Sequence, residues 1–237
     1  LGKGGNIIML KPSDFFELND FEGELFEGIE FVWEALLNLS SFLSNHIKPE
    51  IHGTIKGGVF IEGPVYIGKG TVVEPGVYIK GPTYIGKNCE IRQGAYLRGN
   101  IFIGDNCIVG HATEVKNSIL LSGSSAPHFN YVGDSILGHD TNLGAGTKIS
   151  NLKIGPESTV KIKINDQIYD TKLRKLGAII GDHSETGCNS VLNPGTILGK
   201  FVLVYPNAVV RGYIPDRSIV KFKPQLDIVE IKNYQAL

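Results

Sequence analysis

The sequence predicts an all-β protein: a prism of stacked coils built from a six-residue repeat, with a helical N-terminal appendage and an inserted β-hairpin. Two features of the repeat carry this reading. From Ile55 an aliphatic residue recurs at every sixth position, through Ile61, Ile67, Val73, Ile79, Ile85, Ile91, Leu97, Ile103, Val109 and Val115 to Leu121. Gly68, Gly86 and Gly104 follow that position at eighteen-residue intervals, and Val77, Thr83, Cys89, Ala95, Cys107 and Thr113 put small or β-branched residues four places after it. A period of six matches neither the 3.6-residue stripe of a helix nor the two-residue alternation of a strand, so it marks a structural repeat. One hexad is a short strand and a tight turn, and three hexads make one coil, triangular in section. No coil buries its own apolar face, so the core exists only when coils stack.

Composition narrows the remaining possibilities. The 237 residues are 42% hydrophobic, enough for one large core plus an appendage. No apolar run approaches the roughly 18 residues of a membrane-spanning helix. With 23 Lys+Arg against 24 Asp+Glu and no long charge block, nothing points to nucleic acid. Cys89, Cys107 and Cys188 are too few and too scattered for a disulfide framework, and no signal-peptide pattern opens the chain. A reducing cytoplasm is the expected compartment. Met9 is the only methionine and the candidate start, which sets Leu1 to Ile8 aside.

In chain order, residues 1–50 form the appendage. Residues 12–47 read as helical, with Phe26, Ile29, Trp33, Leu36, Leu37, Phe42 and Leu43 at helical spacings. Residues 51–215 form the prism. Its register breaks after Leu121 and resumes at Leu137, Leu143 and Ile149, so the segment near 122–131, with His128 at its centre, reads as an insertion thrown out of the scaffold. Such loops often carry function, although a lone loop histidine is commonly just a surface residue. A second insertion, 150–178, holds the alternating run Thr159 to Ile164, then Asn165-Asp166 and Ile168-Tyr169, the pattern of a β-hairpin. The hexads return at Ile180, Thr186, Leu192, Leu198, Val204 and Val210, and residues 216–237 form a tail.

The hexad pattern resembles the hexapeptide-repeat acyltransferase superfamily, the left-handed parallel β-helix. That resemblance implies a homotrimer with sites in clefts between neighbouring prisms. It narrows along four blocks: Thr113 to Ser118, His128 to Asp134, Asn142 to Thr147, and Ile179 to Asp182. Their order and spacing are similar to the acetyltransferase half of the bifunctional glucosamine-1-phosphate acetyltransferase/N-acetylglucosamine-1-phosphate uridylyltransferase family. The resemblance implies His128 as general base and Arg98, Lys116, Tyr131, Asn142 and Lys175 as binders of an amino-sugar phosphate. It implies acetyl-CoA as co-substrate, held near Ala145, Asn151, Cys188 and Lys223. Cys188 stands where a serine is common and Lys223 where an arginine is common. The bacterial Asn-Tyr-Asp-Gly is replaced by Asn151-Leu152-Lys153-Ile154, while Leu173 to Asp182 resembles the archaeal-type branch.

The residues agree in part. Arg98 and Lys116 are eighteen apart and so should stack on one face as two adjacent cations, the arrangement a phosphate requires, or simply a solvated face. An imidazole is suited to take the proton of an attacking amine, and a backbone amide of Gly144-Ala145-Gly146 is a candidate oxyanion donor. Two other readings stay open: a non-catalytic prism that binds a sugar nucleotide or scaffolds a partner, and a metal-dependent anhydrase drawing on His111, His128, His139 and His183. No clustered metal signature supports the latter. The residues before Ile51 are too few for a nucleotidyl-transfer domain.

Overall fold

The computed structural model describes residues 10–155 and 159–230. Met9 with the residues before it, Pro156 to Ser158 of the second insertion, and residues 231–237 of the expected tail lie outside that range. Three parallel sheets of nine, eight and eight strands wall a left-handed solenoid. We call them faces I, II and III in the order in which each coil visits them. Face I runs from Thr54–Ile55 to Ile219–Val220, face II from Phe60–Glu62 to Val209–Val210, and face III from Val65–Ile67 to Tyr213–Ile214.

The hexad residues stack in register inside the prism. On face III, Ile67 pairs with Ile85, Ile85 with Ile103, and Ile103 with Leu120, all fully buried. Each such side chain contributes roughly 1.5–3 kcal/mol by leaving water. Backbone hydrogen bonds join the coils, as where Gly68 N–H donates to Ile85 O at 2.8 Å. The eighteen-residue glycine spacing follows from this approach: a Cβ on Gly68 would lie 2.6 Å from the backbone carbon of Gly86.

The expected insertion near 122–131 is absent. Ser125–His128 is a face I strand, paired Val109 to Ala126 and His111 to His128, and Tyr131–Gly133 is a face II strand paired with Glu114–Lys116. What breaks the count of six is the loss of one residue at the corner between faces II and III in each of two successive coils, from Val115 to Leu120 and from Val132 to Leu137. The preceding coil turns through Gly99 and Asn100, both at positive φ, whereas the next turns through Asn117 alone. The inward residue is therefore Leu120 rather than Leu121, followed by Ala126, Val132 and Leu137. Leu121 belongs instead to a second core outside face III. The second insertion is real: Lys161–Ile164 and Gln167–Asp170 form an antiparallel hairpin around Asn165 and Asp166.

The appendage is not one helix. It holds short helices at Pro12–Phe15 and Asp20–Gly23, 3-10 turns at Glu24–Phe26 and Val32–Glu34, and a twelve-residue helix, Ala35–His46. Gly28, at φ +72°, lies between the two 3-10 turns, in a conformation no helix contains. Leu37 is 58% exposed, and Leu39, fully buried, packs inward instead. The appendage covers the outer side of face III, where Phe102, Ile119, Ile136, Ile179 and Ile197 join Trp33, Leu39 and Leu43, together with Val160 and Ile162 of the second insertion.

A buried charge cluster pins this layer. His139 Nε2 lies 2.8 Å from Glu22 Oε2, and its Nδ1 lies 3.1 Å from Asp182 Oδ1. Glu22 Oε1 accepts from Ser122 Oγ at 2.7 Å, and Asp182 Oδ2 accepts from Glu17 N–H at 2.8 Å. Burial opposes the imidazolium, but the two carboxylates outweigh it and raise His139 to about 10. Burial likewise opposes both carboxylates, and the hydrogen bonds win, holding Glu22 and Asp182 below their ordinary values.

Candidate functional site

The residues singled out in the sequence gather at two corners that flank face II. His128 ends its face I strand at the corner between faces I and II, with an exposed side chain. Its position is set by backbone bonds: His128 N–H donates to Asn130 Oδ1 at 3.0 Å, and Gly146 N–H donates to His128 O at 3.0 Å. Asn130, 2% exposed, donates through Nδ2 to Gly144 O at 2.8 Å, tying the histidine to the Gly144-Ala145-Gly146 turn one coil away. Phe129, at φ +37° and 54% exposed, turns the corner beside it.

That turn offers one amide. Gly144 N–H donates to Thr186 O at 2.7 Å and Gly146 N–H to His128 O, whereas Ala145 N–H has no acceptor among the described residues. Cys188 is exposed one coil further on, where Asn189 N–H donates to Ala145 O at 2.8 Å. His128, Ala145 and Cys188 thus form one corner column. Asn142 is exposed on face I two residues before Gly144, in register with Ser125.

Arg98 and Lys116 stack one coil apart at the end of face II, where Leu97 pairs with Val115. They are not a bare pair of cations. Arg98 Nη1 donates to Glu114 Oε1 at 2.6 Å, and Lys116 Nζ donates to Asp134 Oδ2 at 3.1 Å. The Glu114 bond raises the guanidinium further above its already high value. Tyr131 pairs with Glu114 on face II, and its hydroxyl accepts from Asn151 Nδ2 at 3.3 Å. Asn151 also donates to Asp134, so it sits at the corner between faces II and III, away from Ala145 and Cys188.

Lys175 lies in the segment returning from the second insertion. Beside it Leu176 N–H donates to Asn151 O at 3.0 Å and Gly177 N–H to Asp134 O at 2.8 Å. Lys175 itself is exposed. Lys223 is exposed three residues past the last face I strand. Sequence reading missed Glu114 and Asp134 as partners of the two cations. Glu114 lies sixteen residues from Arg98 and Asp134 eighteen from Lys116, whose in-register partner is Gly133, so a count along the chain does not single them out. His139, considered for a metal, uses both ring nitrogens on carboxylates.

A family model described as the GMPPB C-terminal domain matches residues 79–173. The bifunctional protein GlmU of Methanococcus maripaludis strain C7 is 45% identical over 217 residues, covering 92% of this chain and 51% of that protein. GlmU of Methanocaldococcus jannaschii is 34% identical over 200 residues, covering 84% of this chain and 48% of that protein. A bifunctional sugar-1-phosphate nucleotidylyltransferase/acetyltransferase of Sulfurisphaera tokodaii is 44% identical over 100 residues, covering 42% and 25%. The chain spans about half the length of the GlmU relatives it matches.

Proposed function

The chain is homologous over most of its length to the GlmU-type bifunctional nucleotidyltransferase/acetyltransferase family, and from that premise we propose that it moves an acetyl group from acetyl-CoA to the amine of a hexosamine-1-phosphate or a related amino-sugar nucleotide. The observation that carries the reading is the corner column: an exposed histidine tied through Asn130 to a turn whose Ala145 N–H has no acceptor among the described residues.

Acetyl-CoA, when bound, supplies the activated acyl group. His128 takes the proton that the sugar amine loses as its nitrogen bonds to the acyl carbon, and that proton passes to the CoA sulfur as the C–S bond breaks and free thiol leaves, a contribution on the order of 10²- to 10⁴-fold. Ala145 N–H is a fixed donor for the negative charge that develops on the acyl oxygen. Cys188 and Lys223 are assigned to the CoA side. Across face II, Arg98, Lys116, Tyr131, Asn151 and Lys175 hold the phosphate and sugar, which moves Asn151 from the CoA set to the acceptor set. Asn142 faces the sugar beside His128. The site is completed in a homotrimer, with face II turned toward a neighbouring prism because the appendage already covers face III.

Release of free CoA thiol with glucosamine-1-phosphate tests the reading. Wild type turns over, and His128→Ala loses roughly 10²-fold or more while its affinity for acetyl-CoA is retained. Equal rates in the two proteins would overturn the assignment of the base, and no release with any amino-sugar phosphate would overturn the activity.

A further inference from the structure

A ladder of short polar side chains runs along the corner between faces II and III. Asn100, Asn117 and Asp134 occupy equivalent positions in successive coils, each in the left-handed region at φ +55°, +46° and +50°, and Asn151 follows one coil on. Asn100 Nδ2 donates to Asn117 Oδ1, Asn117 Nδ2 donates to Asp134 Oδ1 at 2.7 Å, and Asn151 Nδ2 donates to Asp134 Oδ2. Lys116 Nζ donates to the same carboxylate at 3.1 and 3.5 Å. Three donors therefore converge on Asp134, which is 4% exposed.

This explains why one rung differs in chemistry from the other three. An asparagine at 134 would turn one NH₂ group toward a surrounding set of donors, leaving it without an acceptor. A carboxylate, which only accepts, satisfies all three at once. Its charge also holds the Lys116 ammonium at the end of face II while leaving that group further N–H donors. Asn151, fixed by the same carboxylate, reaches the Tyr131 hydroxyl.

We infer that Asp134 is a positioning residue of the acceptor-phosphate subsite, orienting Lys116 and Asn151, and through Asn151 the hydroxyl of Tyr131. It touches no reacting atom and acts only through those groups. The inference rests on the acceptor chemistry proposed above.

The test is steady-state thiol release by full-length Asp134→Asn, with melting temperature recorded alongside. KM for glucosamine-1-phosphate is expected to rise roughly ten- to a hundredfold, the scale set by a misplaced binding group. kcat should stay within about threefold and KM for acetyl-CoA unchanged, the signature of lost ground-state binding of one substrate. Adding Lys116→Met to Asp134→Asn should raise acceptor KM by clearly less than the product of the two single effects, because both remove the same ammonium from its place, and the part that remains reports Asn151 and Tyr131. An unchanged acceptor KM, an equal rise in both KM values, or additive effects would overturn the inference.

Asn117→Gly, which keeps the positive φ and the carboxylate but deletes one donor, should give a smaller rise in acceptor KM. It carries the test if Asp134→Asn does not fold, and no rise in it would then count against the inference. If wild type releases no thiol, the proposed function has failed and the positioning geometry is decided separately. A slowly exchanging Lys116 ammonium signal in the NMR spectrum, lost in Asn117→Gly or Asp134→Asn, supports it, and the same signal in all three proteins overturns it.

Discussion

Gly144 shows how closely the chemistry of the site depends on single backbone positions. A Cβ there would lie 2.5 Å from Thr186 O and 2.7 Å from Cys188 N, both backbone atoms of the next coil. Neither can move without parting the coils, so Gly144→Ala should cost about 1–3 kcal/mol, read as a lower urea midpoint. It should also lower kcat more than it changes acceptor KM, since the amide displaced is that of Ala145, beside His128. Arg98 and Lys116 illustrate the opposite limit. Their eighteen-residue separation placed them on one face, but spacing alone did not say that Glu114 and Asp134 would neutralise them. Whether a cation faces solvent bare or paired depends on what stacks above and below it, which is decided by coil register.

At the scale of elements, the appendage and face III are held together by apolar contact and by the Glu22, His139 and Asp182 cluster. The pH dependence follows from the direction of each shift. His139 is raised to about 10, so its contribution is complete below its ordinary value near 6.5 and is lost as pH rises toward 10. Glu22 and Asp182 are lowered, so theirs is complete above the ordinary carboxylate range and is lost as pH falls through the depressed values. The melting-temperature difference between wild type and His139→Gln should therefore be largest near pH 6 and shrink steadily toward pH 10. Removing the imidazolium strands two buried carboxylates, a loss of about 3 kcal/mol near neutrality. Limited proteolysis should then cut first within residues 17–34, the segment that Glu22 and the Glu17 N–H tie to the prism through this cluster.

The prism as a whole is quasi-one-dimensional, each coil touching only its neighbours. Ile85→Ala, which empties a fully buried rung between Ile67 and Ile103, should cost about 2–4 kcal/mol by urea denaturation. The loss should stay local, leaving the corner column and its thiol release near wild-type rates. Assembly belongs to the same scale. Light scattering should give three times the mass of one chain if face II meets a neighbouring prism, and a single-chain mass would remove the shared cleft from the proposed mechanism.

The hexad rule determined the prism and the return of the coils after the second insertion, because a period-six aliphatic stripe has one way to be buried, and the two-residue alternation around Asn165-Asp166 determined the hairpin between them. The hexad rule also put Arg98 and Lys116 on one face. The rule failed at Leu121, where a corner shortened by one residue moved the inward position to Leu120 and made an ordinary strand look like a loop. A count along the chain does not distinguish a deleted residue from an inserted segment, whereas hydrogen bonds between coils do. Tertiary structure alone also decided that His139 serves the appendage, that Asn151 sits with Asp134 rather than with Ala145, and that Asp134 gathers three donors. Each of these depends on residues from different coils, or from the appendage, meeting at a corner or on a face, and that meeting is set by stacking, not by sequence separation.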